Sequence, residues 1–300
     1  MPRQSESPYG ESVHVELAHA KVNLGLKVLG TREDGYHDIL SVFQSVTLAD
    51  QLWFHLSDQT RLSCSDPSLP TNADNLALKA LSLFQNEVRD RASLPALHLH
   101  LEKSIPVGAG LGGGSSDAAA TLRGLNTICG QPLDTPSLLS LAAVVGSDVP
   151  FCLLEGTALV SGRGERIEPL RWASARPFYF SLVFPEVFVS TKWAYDSLAP
   201  CLTTFSPYHR FISSLCGGRV DMTGLLEVIE NDFQSVVERA NPIVAELVSE
   251  FDRKGALCSS MTGTGSTAYG IFDDRIVALA VCDELKAAGH RSFFCELYCP

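Results

Sequence analysis

Apolar and polar positions alternate along the amino-terminal part of the chain. Val13, Val15 and Leu17 fall on every second position, and after Ala20 the same beat resumes with Val22, Leu24, Leu26 and Val28. Successive side chains of a strand point to opposite faces, so this pattern predicts one bent strand or two short ones with the apolar set on one face. Lys21 and Asn23 occupy the other beat and are expected to project side by side. The segment Thr31 to His37 carries the turn pair Asp34-Gly35. Alternation then returns through Leu40, Val42, Val46 and Leu48, and again through Leu52, Phe54 and Leu56, which reads as an antiparallel meander.

The period changes after Asp74. Leu76, Ala80, Leu83, Phe84 and Val88 share one side of a helix, and Leu97, Leu99 and Leu101 form a strand that runs into a glycine-rich segment, Pro106 to Asp117. Ala118, Leu122 and Leu125 then recur at helical spacing, from a start near Ser115 or Ser116. A further helix is expected with Thr135 as its cap, Pro136 in its first turn and Gly146 as its stop. Ser147-Asp148-Val149-Pro150 follows, and Pro150 biases Val149 to an extended conformation. The pattern loosens between Pro169 and Pro177, so a domain boundary is expected there, giving segments 1–170 and 171–300. Beyond it the reading is a strand (178–184), helices near Thr191, over 225–237 and over 243–251, and strands over 256–260 and 268–272. A helix over 274–288 closed by Gly289 and a strand over 292–297 complete it.

Composition narrows the function. Three hundred residues with 45% hydrophobic and 19% charged positions suffice for two domains, or for one domain with a substantial second lobe. The formal charge of -11, without a run of Lys or Arg, argues against nucleic acid or an anionic membrane as partner. Anionic ligands would have to be held locally by backbone amides and a few placed cations. The nine cysteines are scattered, with no C-x-x-C pair, and read as reduced thiols rather than metal ligands. Met1 to Glu11 is polar, and no segment has the length of a membrane-spanning helix. A cytoplasmic, unprocessed chain is expected.

The glycine-rich segment carries the strongest chemical signal. Gly108, Gly110, Gly112, Gly113 and Gly114 stand between a strand and a helix, where amides unobstructed by Cβ atoms can converge on an anion at a helix amino terminus. Packing alone rarely justifies the conformational entropy of five glycines at one junction. No G-K-[ST] follows, so this is not a Walker A loop, and it fits a dinucleotide fingerprint poorly. Lys21 and Asp148, taken singly, would be an ordinary strand lysine and a loop carboxylate. Together they supply what phosphoryl transfer to an alcohol requires, a cation for the moving phosphoryl group and a carboxylate for the hydroxyl. A second loop, Thr262-Gly263-Thr264-Gly265-Ser266, suits either a tight hairpin or the lining of a polar substrate site. Trp53, Trp172 and Trp193 read as packing residues.

These features together resemble the GHMP kinase superfamily. The resemblance rests on Pro106 to Ser116 as its phosphate loop and on Ala20-Lys21-Val22-Asn23-Leu24, Asp34-Gly35-Tyr36-His37 and Asp74-Asn75-Leu76. It extends through Gly146-Ser147-Asp148-Val149-Pro150 to Thr262-Gly263-Thr264-Gly265, along nearly the full length. It implies the two-domain α+β GHMP kinase fold, with an amino-terminal ATP-binding domain, a carboxy-terminal substrate domain and the active site in the cleft between them. Within the superfamily the likeness is to the branch whose small-molecule substrate is cytidine diphosphate-linked methylerythritol, phosphorylated on its 2-hydroxyl by ATP with Mg as counter-ion.

On that resemblance, Asp148 and Lys21 are the catalytic pair. Asn23, Tyr36, His37 and Tyr195 bind substrate, the two tyrosines stacking on the cytosine and His37 bonding its edge. Asn75 and Leu76 border the adenine with Lys103 nearby. Pro106, Gly108, Gly110, Leu111, Gly112, Gly113, Gly114, Ser115 and Ser116 hold the ATP phosphates. The role of Asp117 is open. The rival readings are a sister kinase for homoserine, mevalonate or a sugar, and a silent relative that binds without turnover. The aromatic and imidazole set at 36, 37 and 195 suits a pyrimidine base better than a compact alcohol.

Overall fold

Strands with a period of two and helices with a period of about 3.6 build two compact units in the computed structural model, which describes Tyr9 and residues 12–173, 176–198, 206–213, 215 and 218–300. The polar segment Met1 to Glu11 therefore lies, Tyr9 apart, outside the described residues, as do Cys201 and Cys216. Each unit draws on several stretches of chain, and the strands β1 (His14–Thr31) and β2 (His37–Leu56) contribute to both. Among the described residues no helix is long and apolar enough to cross a membrane.

The first unit comprises the described part of Met1–Ala20 together with Ala49–Ile105 and Gly113–Leu154. It contains β3 (Arg61–Cys64), α1 (Leu76–Val88), β4 (Leu97–Glu102), α2 (Gly113–Ile128), α3 (Thr135–Val145) and α4 (Val149–Leu154). β4 pairs antiparallel with Gln51–Leu56 of β2 and parallel with β3. In this register Leu52, Phe54, Leu62, Leu99 and Leu101 share one face, all buried, and α2 packs so closely there that a Cβ at Gly124 would lie 2.4 Å from Cζ of Phe54. The opposite face is polar, with His55 opposite His98 and Trp53 opposite His100. Ser63 Oγ bridges His98 Nε2 (2.7 Å) and His100 Nδ1 (2.8 Å). The Tyr9 ring stands edge-on to His98 at 4.4 Å. Burial, with Arg61 nearby, pushes His98 down to about 4.

The alternation at Val13, Val15 and Leu17 has the predicted period but the opposite face. These three side chains are exposed, whereas Glu16 is half-buried beneath α2. Arg123 of α2 decides this: its Nε donates to Glu16 Oε2 (3.1 Å), and its other nitrogens donate to the carbonyls of Leu17 (2.7 Å) and Cys152 (2.8 Å). A guanidinium held by three acceptors fixes the strand's orientation against the apolar preference. Two helix starts also differ from expectation. α2 begins at Gly113, so Ser115 and Ser116 lie within its first turn rather than capping it, and α3 is capped by Asp134, whose side chain accepts from Ser137 N. Val149 is helical rather than extended, because Pro150 sits in the first turn of α4, where its missing N–H costs nothing.

The second unit comprises Lys21–Leu48, Pro106–Gly112 and Glu155–Pro300. Its elements are β5 (Thr157–Gly162), β6 (Arg166–Trp172), β7 (Tyr179–Phe184), α5 (Thr191–Asp196), α6 (Pro207–Ser213), β8 (Arg219–Val220), α7 (Met222–Leu226), α8 (Gln234–Ala240), α9 (Pro242–Arg253), β9 (Cys258–Met261), β10 (Ala268–Phe272), α10 (Arg275–Ala287) and β11 (Arg291–Glu296). β5 pairs antiparallel with Ile39–Gln44 of β2 and with β6. A four-stranded antiparallel sheet has the order β11-β7-β10-β9. Phe251 of α9 and Val281 and Leu285 of α10 pack with Val183, Ala268 and Phe272 of that sheet. The single helix expected over 225–237 is two helices, α7 and α8, separated by a segment in which Asn231 and Asp232 bond to other parts of the unit.

β1 is one strand, with a left-handed residue at Gly25 (φ +87°). A Cβ at that position would lie 2.3 Å from the ring of Tyr208 in α6, which is fully buried. The Tyr208 hydroxyl donates to Leu24 O (2.8 Å) and accepts from Val42 N (2.9 Å), so the ring ties α6 to β1 and β2.

Gly124→Ala tests the contact of α2 with its sheet. Alanine gains about 1 kcal/mol of helix propensity, but overpacking against the buried Phe54 ring costs about 1–3 kcal/mol. The expected outcome is a lower midpoint in urea with an unchanged slope; an equal or higher midpoint would show that the ring moves aside freely.

Candidate active site

The second unit positions Lys21 with unusual completeness. Its side chain is only 4% exposed, flanked along β1 by the fully buried Ala20 and Val22. Nζ donates to Asn23 Oδ1 (2.7 Å) and lies 4.8 Å from the centroid of the Phe43 ring. The side-by-side projection expected from alternation is thus realised, with both groups buried. Lys21 N donates to Leu111 O (3.0 Å), which ties the strand to the glycine loop. Gly112 is left-handed (φ +72°), and a Cβ there would press to 3.0 Å from Cγ of Lys21. One reason for glycine at 112 is therefore the lysine stem beneath it.

Asn23 is fully buried and its amide is engaged on both sides. Oδ1 accepts from Lys21 and from Thr262 Oγ1 (3.2 Å), while Nδ2 donates to Ser41 Oγ (3.0 Å). Its backbone N–H donates to Thr262 Oγ1 (3.0 Å), and its carbonyl accepts from Tyr269 OH (3.0 Å). Asn23 thereby fixes the direction of the Lys21 ammonium.

The two glycine loops interlock within this unit. A Cβ at Gly110 (φ +78°) would lie 2.5 Å from Thr262 O and 3.0 Å from Gly265 O. Thr267 N donates to Ala109 O (3.3 Å). Asn231, which nothing in the sequence singled out, holds the second loop from behind, its Nδ2 donating to Met261 O (2.7 Å) and Gly263 O (2.9 Å). An asparagine in an unpatterned segment has no spacing signature, so only the fold reveals it. Leu111 is buried, and the exposed ring of Phe188 lies over Gly108, where a Cβ would meet it at 2.7 Å.

His37 and Tyr195 are brought together, stacked at 4.6 Å between centroids and 27° between planes. Tyr195 also meets Phe233 edge-on at 4.8 Å. Tyr36 is exposed, and the Arg163 guanidinium lies 4.7 Å over its ring. His37 thus covers one face of Tyr195 itself.

The first unit carries the remaining expected residues. Asn75 caps α1, its Oδ1 accepting from Ala77 N (3.0 Å) while Nδ2 donates to Pro70 O (2.8 Å). Leu76 leans toward the first turn of α2, 3.7 Å from where a Gly114 Cβ would stand. Ser115 is half-buried; Ser116 is buried and donates Oγ to His19 O (2.5 Å). Asp148 is half-buried in the turn before α4, where its carbonyl accepts from Cys152 N (3.1 Å). Lys103 is not free for a ligand in this arrangement: Nζ donates to Asp50 Oδ2 (2.5 Å) and Asp117 Oδ2 (2.8 Å). Burial opposes its charge, but the two carboxylates outweigh that and leave its pKa raised.

Comparison with known proteins agrees with this arrangement of motifs. Residues 75–156 match the family model for the GHMP kinases N terminal domain, and residues 212–291 match that for GHMP kinases C terminal. A 4-diphosphocytidyl-2-C-methyl-D-erythritol kinase of Caldanaerobacter subterraneus subsp. tengcongensis is 40% identical over 263 residues, 86% of this chain and 87% of the relative. One of Salinibacter ruber is 39% identical over 280 residues, 92% of this chain and 95% of the relative. Among solved structures, a 4-(cytidine 5'-diphospho)-2C-methyl-D-erythritol kinase superposes with a TM-score of 0.78 at 32% identity, covering 96% of this chain and 100% of that one. A homoserine kinase from Cytophaga hutchinsonii shares the fold, with a TM-score of 0.71 at 19% identity over 96% of each chain.

Gly110→Ala tests the interlock of the loops. A left-handed alanine costs about 1 kcal/mol or more, and the backbone carbonyls of Thr262 and Gly265 cannot swing away as a side-chain end could. A stability loss of at least about 2 kcal/mol in denaturant is expected; a loss below half of that would show the loops to be independent.

Proposed function

The chain belongs to the GHMP kinases, in the family of the 4-diphosphocytidyl-2-C-methyl-D-erythritol kinases, and from that premise we propose that it transfers the γ-phosphoryl group of ATP to the 2-hydroxyl of 4-diphosphocytidyl-2-C-methyl-D-erythritol in the non-mevalonate isoprenoid pathway. The observation that carries the reading is the identity of about two residues in five along most of the chain with relatives bearing that name. Residues 1–170 form the nucleotide domain in this reading and 171–300 the substrate domain, in a cytoplasmic enzyme.

The charge of the transferring phosphoryl group is met by Lys21, whose ammonium is held in one direction by Asn23 and is largely withdrawn from water. A preoriented cation in a low-dielectric site stabilises developing charge more than a solvated one, and it does not reorganise as the reaction proceeds. Asp148 orients the acceptor hydroxyl or takes its proton. A loose transition state asks little deprotonation before transfer, so orientation is the larger part of its contribution. The amides of the glycine segment and the first turn of α2 hold the polyphosphate.

Magnesium accompanies the nucleotide. Among the described residues no group of three or more His, Cys, Asp or Glu could hold a metal on its own. An ion of this kind would be bound chiefly through substrate phosphates and would keep several waters. Bound with the nucleotide, it would supply neutralisation of phosphate charge. Tyr36 and the stacked pair His37 and Tyr195 supply aromatic faces for the cytosine.

Release of ADP in a coupled assay tests the reading. Turnover with the cytidyl substrate, and little with homoserine or mevalonate, is expected; the reverse preference would make the chain a sister kinase, and binding without turnover would make it silent. Asp148→Asn should lower turnover at least about a hundredfold with little change in ATP affinity, and near-normal turnover would refute the role of Asp148. Tyr195→Ala should raise the KM for the cytidyl substrate about tenfold or more while kcat falls less, since stacking is worth about 1–3 kcal/mol per base; an unchanged KM would remove Tyr195 from the substrate site.

A further inference from the structure

Beneath the first turn of α2 lies a cluster of three ionisable side chains, Asp50, Lys103 and Asp117, that the phosphoryl-transfer mechanism does not use. Asp50 is wholly buried. Its Oδ1 accepts from the backbone N–H groups of Ser104 (2.6 Å) and Ile105 (2.8 Å), and its Oδ2 accepts from Lys103 Nζ (2.5 Å). Three donors thus converge on Asp50, Lys103 among them, and the carboxyl of Asp117 also stands beside it. Asp117, 3% exposed, is a second carboxylate on the same ammonium: Oδ2 accepts from Lys103 Nζ (2.8 Å), while Oδ1 is buried with no hydrogen-bond partner among the described residues.

The cluster abuts the helix start. A Cβ at Gly113 would lie 3.3 Å from Lys103 Nζ and 3.0 Å from Ile105 Cγ2. If both carboxylates were ionised, the cluster would carry a net negative charge directly under the amides assigned to phosphate. An ionised Asp117 would also leave one oxygen desolvated and unpaired.

We propose that Asp117 is a positioning residue that carries a proton over the Asp50–Lys103 pair, making the cluster neutral, and that nucleotide binding at the first turn of α2 is linked to that proton. The inference rests on the kinase reading for the identity of its anion. Burial pushes Asp117 up to about 8, against the opposing pull of Lys103 and with Asp50 adding to the rise. Among the described residues, Cys64 of β3 and, through it, Asp66 also face the cluster. Burial raises the Cys64 thiol, Lys103 lowers it and Asp117 raises it.

The sign follows from charge. A polyphosphate on the α2 amides repels an ionised Asp117 and so favours its protonated form. Nucleotide affinity is therefore full below about pH 8 and falls as pH rises through that value, while binding takes up a proton from the buffer onto Asp117.

The experiment measures ATP binding by calorimetry from about one and a half pH units below the Asp117 value to about one and a half above it, in the full chain and in Asp117→Asn, whose amide mimics the neutral acid. The wild-type dissociation constant should rise by up to about tenfold per pH unit above the Asp117 value, and that of the variant should stay flat. Titrations of the wild type near pH 8 in two buffers of different ionisation heat should show uptake of a fraction of one proton, a readout that does not depend on the variant folding. Identical pH profiles in the two proteins, or no proton uptake by the wild type, would overturn the inference and leave the kinase reading standing. If the wild type bound no nucleotide at any pH, both would fall together.

Discussion

The carboxylate of Asp50 is the constraint on which the phosphate-binding region depends. Desolvating an ionised carboxylate costs several kcal/mol, and the structure offsets this with two backbone amides and one ammonium. Those amides belong to Ser104 and Ile105, the residues that lead from β4 toward the glycine segment, so the path of the chain there is dictated by a buried charge seeking donors. Any other course would strand that charge. Lys103 is thereby drawn inward, and a side chain at Gly113 would crowd both its ammonium and Ile105 at the first turn of α2.

The second unit solves the complementary problem, holding a cation where it can act. Lys21 lies on the polar beat of a strand whose apolar beat is buried, and Asn23, Ser41, Thr262 and Tyr269 form a hydrogen-bonded frame around it. A chain with a formal charge of -11 has no diffuse positive field to offer an anion. It relies on oriented amides and individually braced cations, which act over a few ångströms and are weakly screened by salt where they are buried.

Much of this was legible in the sequence because it is written in local periods. β10, the Asp34-Gly35 turn, the pairing of Lys21 with Asn23 and the strand, glycine segment and helix order all follow from spacing within a few residues. What spacing could not reveal was contact between distant residues. Val13, Val15 and Leu17 kept their alternation but were turned outward by Arg123, which lies on a helix more than a hundred residues later. Asn231 and Asp50 stand in stretches without a motif, and their importance comes from backbone groups they meet only once the chain has folded. The break between α7 and α8 has the same origin, since side chains there bond across the unit instead of along a helix.

The pairing of Gly25 with Tyr208 carries a consequence for how such a chain can diverge. The ring occupies the volume that any side chain at 25 would need, and its hydroxyl serves backbone groups of two strands. Enlarging position 25 first would collide with the ring, and shrinking position 208 first would leave an internal void and an amide without its acceptor. Both single steps descend into a valley of lost stability, so the two positions are locked to one another, and drift at either must await a rare simultaneous exchange.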